Sequence, residues 1–367
     1  MSEWREVRLG DVVELQRGFD LPTQARRPGR VPIVSSSGIS GSHDEARVKG
    51  PGVVTGRYGT LGQVFYITQP FWPLNTTLFA RDFKGNDPHF VSYLLKTVDF
   101  LAYSDKAAVP GINRNHLHEA IVRVPPVADQ RRIAGILGAL DDKIELNRRL
   151  AETLQTTART LFDSWFRAGS RTEADGWRHS VIGKEFEVTM GQSPPGSTYN
   201  STGDGLPFYQ GRADFGARFP ARRVYCTAPT RTAAAGDTLL SVRAPVGDIN
   251  IATETCAIGR GVAAIRHHSG SRTFSFEFMG AMRGVLDEYN GHGTVFGAIG
   301  GKDLSAMPCL APPDGLVRRF DEQARPLDER MENLERQRQT LTEVRDAMLP
   351  RLLNGEMSSS IGRGQGA

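Results

Sequence analysis

The feature that most restricts how this chain can fold is the stretch from Gln130 to Arg167, which holds no proline and no glycine after Gly138. Apolar residues recur through it at alternating steps of three and four: Leu137, Leu140, Ile144, Asn147, Ala151, Leu154, Ala158, Leu161 and Trp165. That is the a/d seam of a coiled coil, and Asn147 is a polar seam residue of the kind that fixes register at some cost in stability. At the usual rise per residue the helix runs roughly 50 Å, longer than a small domain is wide. A helix with one apolar edge of that length requires a partner.

The same chain supplies one. A second long helix starts near Gly315 and repeats the spacing through Leu327, Met331, Leu334, Arg338, Leu341, Arg345, Met348 and Leu352. The sequence before each helix also repeats. Trp177-Arg178 with Ile182-Gly183 echoes Trp4-Arg5 with Leu9-Gly10 at one fixed spacing, and Pro312-Pro313 matches Pro125-Pro126. An internal duplication of a globular block followed by a long helix is the simplest reading. With a whole block between them the helices can pair antiparallel, leaving the blocks at opposite ends of a rod.

Composition sets the outer limits. The chain has 367 residues, 39% of them hydrophobic, enough for two or three domains with buried cores. A net charge of +4 favours an anionic partner without naming it. Cys226, Cys256 and Cys309 are odd in number and widely spaced, so neither a disulfide framework nor a zinc ribbon is expected, and they read as buried thiols. The charged start MSEWREVRLGD has no apolar core of signal-peptide length, and no run approaches a membrane span, so a cytoplasmic location without membrane association is expected.

Within the first block, Val53-Val54-Thr55 and Gln63 to Thr68 read as two strands joined by a glycine-rich turn, and a helix opens at Asp87 as N-cap with Pro88 behind it. In the second, Thr238 to Val242, an Arg243-bearing turn and Asp248 to Ala252 repeat the strand, turn, strand pattern, and Phe278, Met282, Val285, Leu286 and Tyr289 mark an amphipathic helix. The expected fold is α/β: two mixed α/β domains in pseudo-twofold repeat, separated by a long antiparallel two-helix coiled coil. The expected segments are 1–128 and 169–313 for the domains, 129–168 and 314–357 for the helices, and 358–367 for a flexible tail. A duplicated block on a rigid rod suits two separated patches of one ligand, and equivalent major-groove faces of DNA recur about every 34 Å. Bipartite double-stranded DNA recognition follows as the expectation.

Particular segments also resemble a known family. Pro125 to Ala134 (PPVADQRRIA), Leu140 to Arg149 (LDDKIELNRR) and Leu161 to Phe166 (LFDSWF) are similar to the central helix of specificity subunits of type I restriction-modification systems. Gly293 to Gly297 (GTVFG) and Leu349 to Glu356 (LPRLLNGE) resemble further signatures of that family. The resemblance implies a non-catalytic DNA reader whose blocks are target recognition domains, each gripping half of a split site. It implies that the paired helices fix the spacer and dock two methyltransferase subunits, which carry S-adenosylmethionine and methylate a flipped adenine in each half-site. Restriction subunits using ATP and Mg would join them. Candidate docking residues are Leu140, Ile144, Leu154, Leu161, Trp165, Phe166, Leu327, Leu334, Leu341 and Met348.

No catalytic or cofactor site is expected in the chain itself. Ser193-Pro194-Pro195-Gly196 superficially resembles an amino-methyltransferase motif but lacks its final aromatic, and no glycine-rich loop stands between strand and helix with a later ribose-binding acid. Asp314, Asp321 and Glu322 read as helix N-terminal acids. Arg222-Arg223 reads as a phosphate patch or plain surface, and His267-His268 as a polar turn. Candidates for contacting DNA are Ser35, Ser36, Arg57, Tyr58, Lys106, Asn113 and Arg114 in the first block. In the second they are Tyr209, Gln210, Arg212, Arg243, His292, Thr294 and Lys302. Arginine forks onto guanine and asparagine onto adenine. The alternatives are a non-catalytic adaptor tethering two interaction modules, and a self-contained DNA methyltransferase, which the missing motifs oppose.

Overall fold

A computed structural model describes residues 4–104, 111–169, 171–290 and 297–356. It resolves into two units, Met1–Leu146 with Gln337–Ala367, and Asn147–Arg336.

The first unit contains β1 (Arg5–Arg8), α1 (Leu9–Val12), β2 (Glu14–Arg17), β3 (Val31–Ser35), β4 (Gly38–His43), β5 (Gly52–Gly56), β6 (Val64–Ile67), β7 (Trp72–Pro73) and β8 (Thr77–Asp82). It continues through α2 (Pro88–Lys96), α3 (Arg114–His118) and β9 (Ile121–Val124) into the long α4 (Val127–Phe166). A four-stranded sheet of order β2-β8-β5-β6 forms the middle layer. Because side chains alternate across a strand, Leu15, Val53, Leu78 and Ala80 face the helices, while Val54 and Phe79 face the smaller β4-β3-β7 sheet. The expected cap on α2 is present: the Asp87 carboxylate accepts the Phe90 N–H at 2.9 Å.

The second unit contains β10 (Arg178–Val181), α5 (Ile182–Glu185), β11 (Phe186–Met190), β12 (Tyr199–Asn200), β13 (Leu206–Tyr209), β14 (Tyr225–Cys226), β15 (Thr232–Ala233) and β16 (Thr238–Ser241). It goes on with β17 (Ile249–Ile251), β18 (Cys256–Ile258), β19 (Val262–His267), α6 (Arg272–Ala281), α7 (Arg283–Asp287), α8 (Gly301–Ala306), β20 (Pro308–Ala311) and α9 (Asp314–Leu353). Here too a four-stranded sheet, β11-β19-β16-β17, lies between a helical layer and a second sheet, now five-stranded. The single helix expected over Phe278 to Tyr289 is two, interrupted at Met282, and Val285 is 43% exposed. Each unit is thus mixed α/β, as its sequence pattern requires.

Within each unit the two long helices pack antiparallel. In the first, Leu137 of α4 joins the core that holds Leu352 and Leu353 of α9, and Asp141 meets Arg345 at 2.8 Å. In the second, Phe162 and Phe166 meet Phe320, while Gln155 reaches Asp328 through Arg218. Asn147 is 1% exposed, which suits a polar residue in the seam. Toward the end of α4 the buried stripe moves by one residue. Phe162 and Phe166 are 2% and 4% exposed, whereas Leu161 and Trp165 are half-buried. A similar shift in α9 buries Asp328 completely and leaves Leu327 half-buried.

Each long helix also fastens the short helix of its domain. Gln130 of α4 is buried; its amide accepts the Asp87 N–H at 2.9 Å and donates to Asn86 and to the Pro125 carbonyl. In the second unit Asp321 of α9 does this work by accepting the hydroxyl of Ser271, the N-cap of α6, at 2.5 Å. Asp321 is therefore no helix-terminal acid; it lies inside α9, buried against a cap. The second half, in which Asp314-Gly315-Leu316 follows Pro313 and no copy of Gln130 is present, thus fastens its short helix from a different position on its long one.

Candidate nucleic-acid interface

In the first unit four of the chosen residues converge. Arg57, Tyr58, Asn113 and Arg114 line one concavity of about 560 Å³, together with Gln16 and Arg17 from the end of β2. The backbone brings them there: β5 runs out at Gly56, Arg57 N–H donates to Thr76, and Ile112 N–H donates back to Arg57 at 3.0 Å. Gly111 passes so close to Tyr58 that a Cβ would stand 2.3 Å from its ring, so any larger residue there would displace the ring from its place over Gly111. The Arg57 guanidinium sits 4.6 Å from the centre of the Tyr58 ring, and Tyr58 is 40% exposed. A stacked guanidinium keeps its N–H edge free for a phosphate or a guanine while losing little further entropy on binding. The Asn113 side-chain oxygen caps α3 by accepting the Asn115 N–H at 3.0 Å, which commits one face of its amide to the fold.

Ser35 and Ser36 occupy the β3–β4 turn beside this concavity. The Ser35 hydroxyl donates to Gly38 at 3.0 Å, and Ser36 lies next to Gly56 and Gly59. Lys106, His292 and Thr294 lie outside the described residues, as does most of the Gly293 to Gly297 segment.

Matching hydrogen bonds identify the corresponding place in the second unit. Gly191 N–H to Val262 repeats Gly18 to Thr77, Val242 to Gly261 repeats Arg57 to Thr76, and Ile299 to Val242 repeats Ile112 to Arg57. The isolated bridge Arg243 to Ala298 repeats Tyr58 to Gly111. Arg243 therefore stands where Tyr58 does, and Gln210, after the parallel strand β13, stands where Ser35 does. Both are exposed, as is Lys302 on α8.

Tyr209 requires correction. It occupies the position of Val34, is 1% exposed, and belongs to the core under the five-stranded sheet, so its ring offers no face to a base. Arg212 is exposed but ion-paired to Asp248, which also holds Arg283. Arg222 and Arg223 pair with Glu254 and Asp214, each at 2.6 Å, leaving little free phosphate affinity. His267 is not a turn residue: it ends β19, 5% exposed, with its ring against Phe186 and Phe274. Burial lowers its pKa to about 4.

The docking candidates divide. Leu140, Ile144, Leu154, Leu161, Trp165, Leu327, Leu341 and Met348 are half-buried, and Leu334 is 1% exposed. Phe166 requires correction: it lies inside an aromatic cluster with Phe274, Phe320 and Trp177 and has no surface for a partner. Among the described residues of the two long helices, the exposed large apolar side chains are Leu146, Leu150 and Val344, which the seam pattern passes over because they lie off it.

The signal most completely missed is ionic. Arg218, 8% exposed at its side chain, pairs with the fully buried Asp328 and approaches Glu277 at 3.8 Å, with its guanidinium 4.1 Å from the Phe276 ring. Arg272 joins Asp328 to Glu332, and Gln155 and Arg159 of α4 bind Glu277. Burial raises the Glu277 carboxyl above the ordinary carboxylate range despite the nearby Arg218. This cluster ties the second domain to both long helices. In the first unit a smaller network does the same. There Tyr93 donates to Asp141 at 2.6 Å, and bonds from Arg345 and Tyr93 outweigh burial to hold the Asp141 carboxyl low.

Among the described residues no group of three or more His, Cys, Asp or Glu side chains could hold a metal ion, and no helix is long and apolar enough to cross a membrane.

Residues 1–156 match the family described as type I restriction modification DNA specificity domain. The chain is 31% identical over 304 residues to the type I restriction enzyme MjaX specificity subunit of Methanocaldococcus jannaschii, covering 77% of this chain and 71% of that protein. It is 23% identical over 322 residues to the MjaIX specificity subunit of the same organism, covering 78% and 73%. A crystal structure of the type I restriction-modification S subunit from M. genitalium has the same fold, with a TM-score of 0.69, 16% identity and 96% of each chain covered.

Proposed function

We propose a bipartite mode of DNA reading for this chain, which belongs to the specificity-subunit family of type I restriction-modification systems. It is a non-catalytic subunit that recognises DNA sequence. Residues 1–128 and 169–313 each read one half of a split target. The two long helices set the spacer and dock two methyltransferase subunits, and restriction subunits complete the assembly. S-adenosylmethionine, ATP and Mg belong to those partners, and the assembly works in the cytoplasm beside the genome it protects.

The observation that carries this reading is the concavity of the first unit, where Arg57 stacked on Tyr58, Asn113 and Arg114 face one space suited to base edges and phosphates. Arg243, Gln210 and Lys302 provide the comparable surface of the second unit, with Ser35 and Ser36 at the rim of the first. The test is co-expression with the cognate methyltransferase subunit and mapping of methylated adenines across a genome. Two half-sites at a fixed spacing are expected, with binding that weakens steeply as salt rises. Methylation by the chain alone, or binding with no split-site preference, would overturn the reading, the second outcome pointing to an adaptor.

A further inference from the structure

The polar side chain best placed to read a base in the first unit is one that sequence patterning passes over, Gln16. It sits at the end of β2, the edge strand of the central sheet, paired across from Phe79 and half-buried in the wall of the 560 Å³ concavity. Of the other polar groups of that space, the Asn113 oxygen and Arg17 are committed within the fold, and the two remaining arginines suit a phosphate or a guanine rather than adenine. Arg57 is stacked on Tyr58, the Asn113 oxygen caps α3, Arg17 pairs with Asp20 at 3.5 Å, and Arg114 is exposed on a short helix. Among the described residues the Gln16 amide makes no hydrogen bond or ion pair. The half-buried amide sits on a rigid strand with no protein partner to commit it, so both its donor and its acceptor are available to a ligand in the space beside it.

The second unit serves as an internal control. Its equivalent strand places Thr189 where Gln16 stands and Met190 where Arg17 stands, the register with β19 matching that of β2 with β8. Met190 packs on the apolar core and against Gly301, whose added Cβ would lie 2.9 Å from it. The scaffold glycine is kept: Gly18 and Gly191 both pass 2.2 Å, at a virtual Cβ, from a carbonyl oxygen of the neighbouring loop. The fold therefore does not require an amide at this position, since the second copy builds the same turn with threonine.

From this juxtaposition we propose that Gln16 is a specificity-determining residue that reads one base pair of the half-site bound by the first unit, with adenine as its partner. A glutamine amide offers a donor and an acceptor in one plane, matching N7 and N6–H of adenine in the major groove. Arg57 and Arg114 flank it as guanine or phosphate contacts that fix its register. This rests on the DNA-reading role above and adds the residue and the base.

The test uses the full chain with its methyltransferase subunit and a duplex pool randomised within both half-sites. Gln16→Ala should reduce preference at one A·T pair of one half-site by about tenfold or more, the size of a lost bidentate contact, and leave the other half-site unchanged. Gln16→Glu should shift that position toward cytosine, since a carboxylate accepts from N4–H but cannot donate to N7. Gln16→Thr, which copies the second unit, guards against misfolding and should behave as Gln16→Ala. Unchanged selectivity in all three variants would overturn the proposal, as would uniform weakening at both half-sites with a lowered melting temperature. A wild-type complex that selects no split sequence would instead overturn the DNA-reading role itself.

Discussion

Truncating Asp328 to alanine should destabilise the second unit by more than any exposed substitution, and the structure fixes why. Its carboxylate is fully buried between Arg218 and Arg272, and the cluster balances three arginines, Arg159, Arg218 and Arg272, against Glu277, Asp328 and Glu332. Removing one partner of a buried pair leaves a charge without its counter-ion and costs about 3–5 kcal/mol. Two features bring the value toward the lower end. Arg272 keeps Glu332 at 2.7 Å, and Glu277, whose carboxyl is raised by burial and further by the like charge of Asp328, becomes a better partner for Arg218 once Asp328 is gone. An expected loss of about 3 kcal/mol follows. Chemical denaturation read by fluorescence measures it in a background with Trp4 and Trp72 replaced by phenylalanine. Only Trp165 and Trp177, both in the second unit, then report. The double variant Arg218→Met with Asp328→Leu should recover at least about 1 kcal/mol of the summed single losses, as residues in one network do. A single loss below about 1 kcal/mol, or strict additivity, would refute the view that this cluster anchors the domain.

Three further outcomes are expected. Arg57→Ala should weaken preference at one half-site only, by about 1–3 kcal/mol, in competition binding against duplexes altered in either half. Leu334→Glu places a carboxylate at a site 1% exposed and should cost about 3 kcal/mol or more in thermal unfolding, while Ile144→Glu, half-buried, should cost less. His267 has its folded pKa lowered by burial to about 4, so the unfolded chain binds the proton more readily. Its contribution is neutral above the ordinary histidine range, and stability is lost as pH falls from about 6.5 toward 4. The loss reaches about 2 kcal/mol by pH 5. His267→Gln should flatten that part of the pH profile in denaturant titrations, and an unchanged slope would disprove the assignment.

The long helices were legible because a heptad stripe depends only on spacing, and Asp87 with Pro88 because a cap is local. What was not legible depended on the domain each helix lies against. The seam rule assigns Leu161 and Trp165 to the interface, yet Phe162 and Phe166 turn inward because the aromatic core around Phe274 and Phe320 outweighs a partner helix in buried area. Asp328 breaks the apolar pattern for an equally non-local reason, since Arg218 and Arg272 come from loops and helices far away in sequence. Among the candidate site residues, Arg57, Tyr58, Asn113 and Arg114, which the structure brings to one concavity, could be picked out because polar residues follow strands and open helices there. Tyr209 was misread because a tyrosine at a strand end looks the same whether its ring points to solvent or, as here, into the core. Gln16 escaped notice because it lies within a strand, where an alternating pattern assigns a polar residue to the surface and asks nothing more of it.

The duplication, followed through its hydrogen bonds, also indicates where the two copies have diverged. Partner residues keep one spacing from Trp4 and Trp177 to Gly18 and Gly191, widen it slightly at Val34 and Tyr209, and widen it much more by Thr55 and Leu240. The extra residues therefore fall between Ser35 and Gly52 in the first copy, where the hairpin β3–β4 gives way in the second to β13, β14 and β15 with their intervening loops. The three-stranded outer sheet becomes five-stranded, and the central four-stranded sheet keeps its strand order. A reader that must recognise two different half-sites with one architecture needs this division. The layer against the long helices has to hold its geometry, because its contacts with Gln130, Asp321 and Asp328 place the domain on the helices. The outer layer, the end of β2 at Gln16 and the loops at Tyr58 and Arg243 can change chemistry at small cost to the core. Exchanging residues 31–43 for 206–233 should consequently alter half-site choice while preserving cooperative unfolding of the first unit. Loss of folding in that chimaera would show that the outer sheet belongs to the scaffold after all.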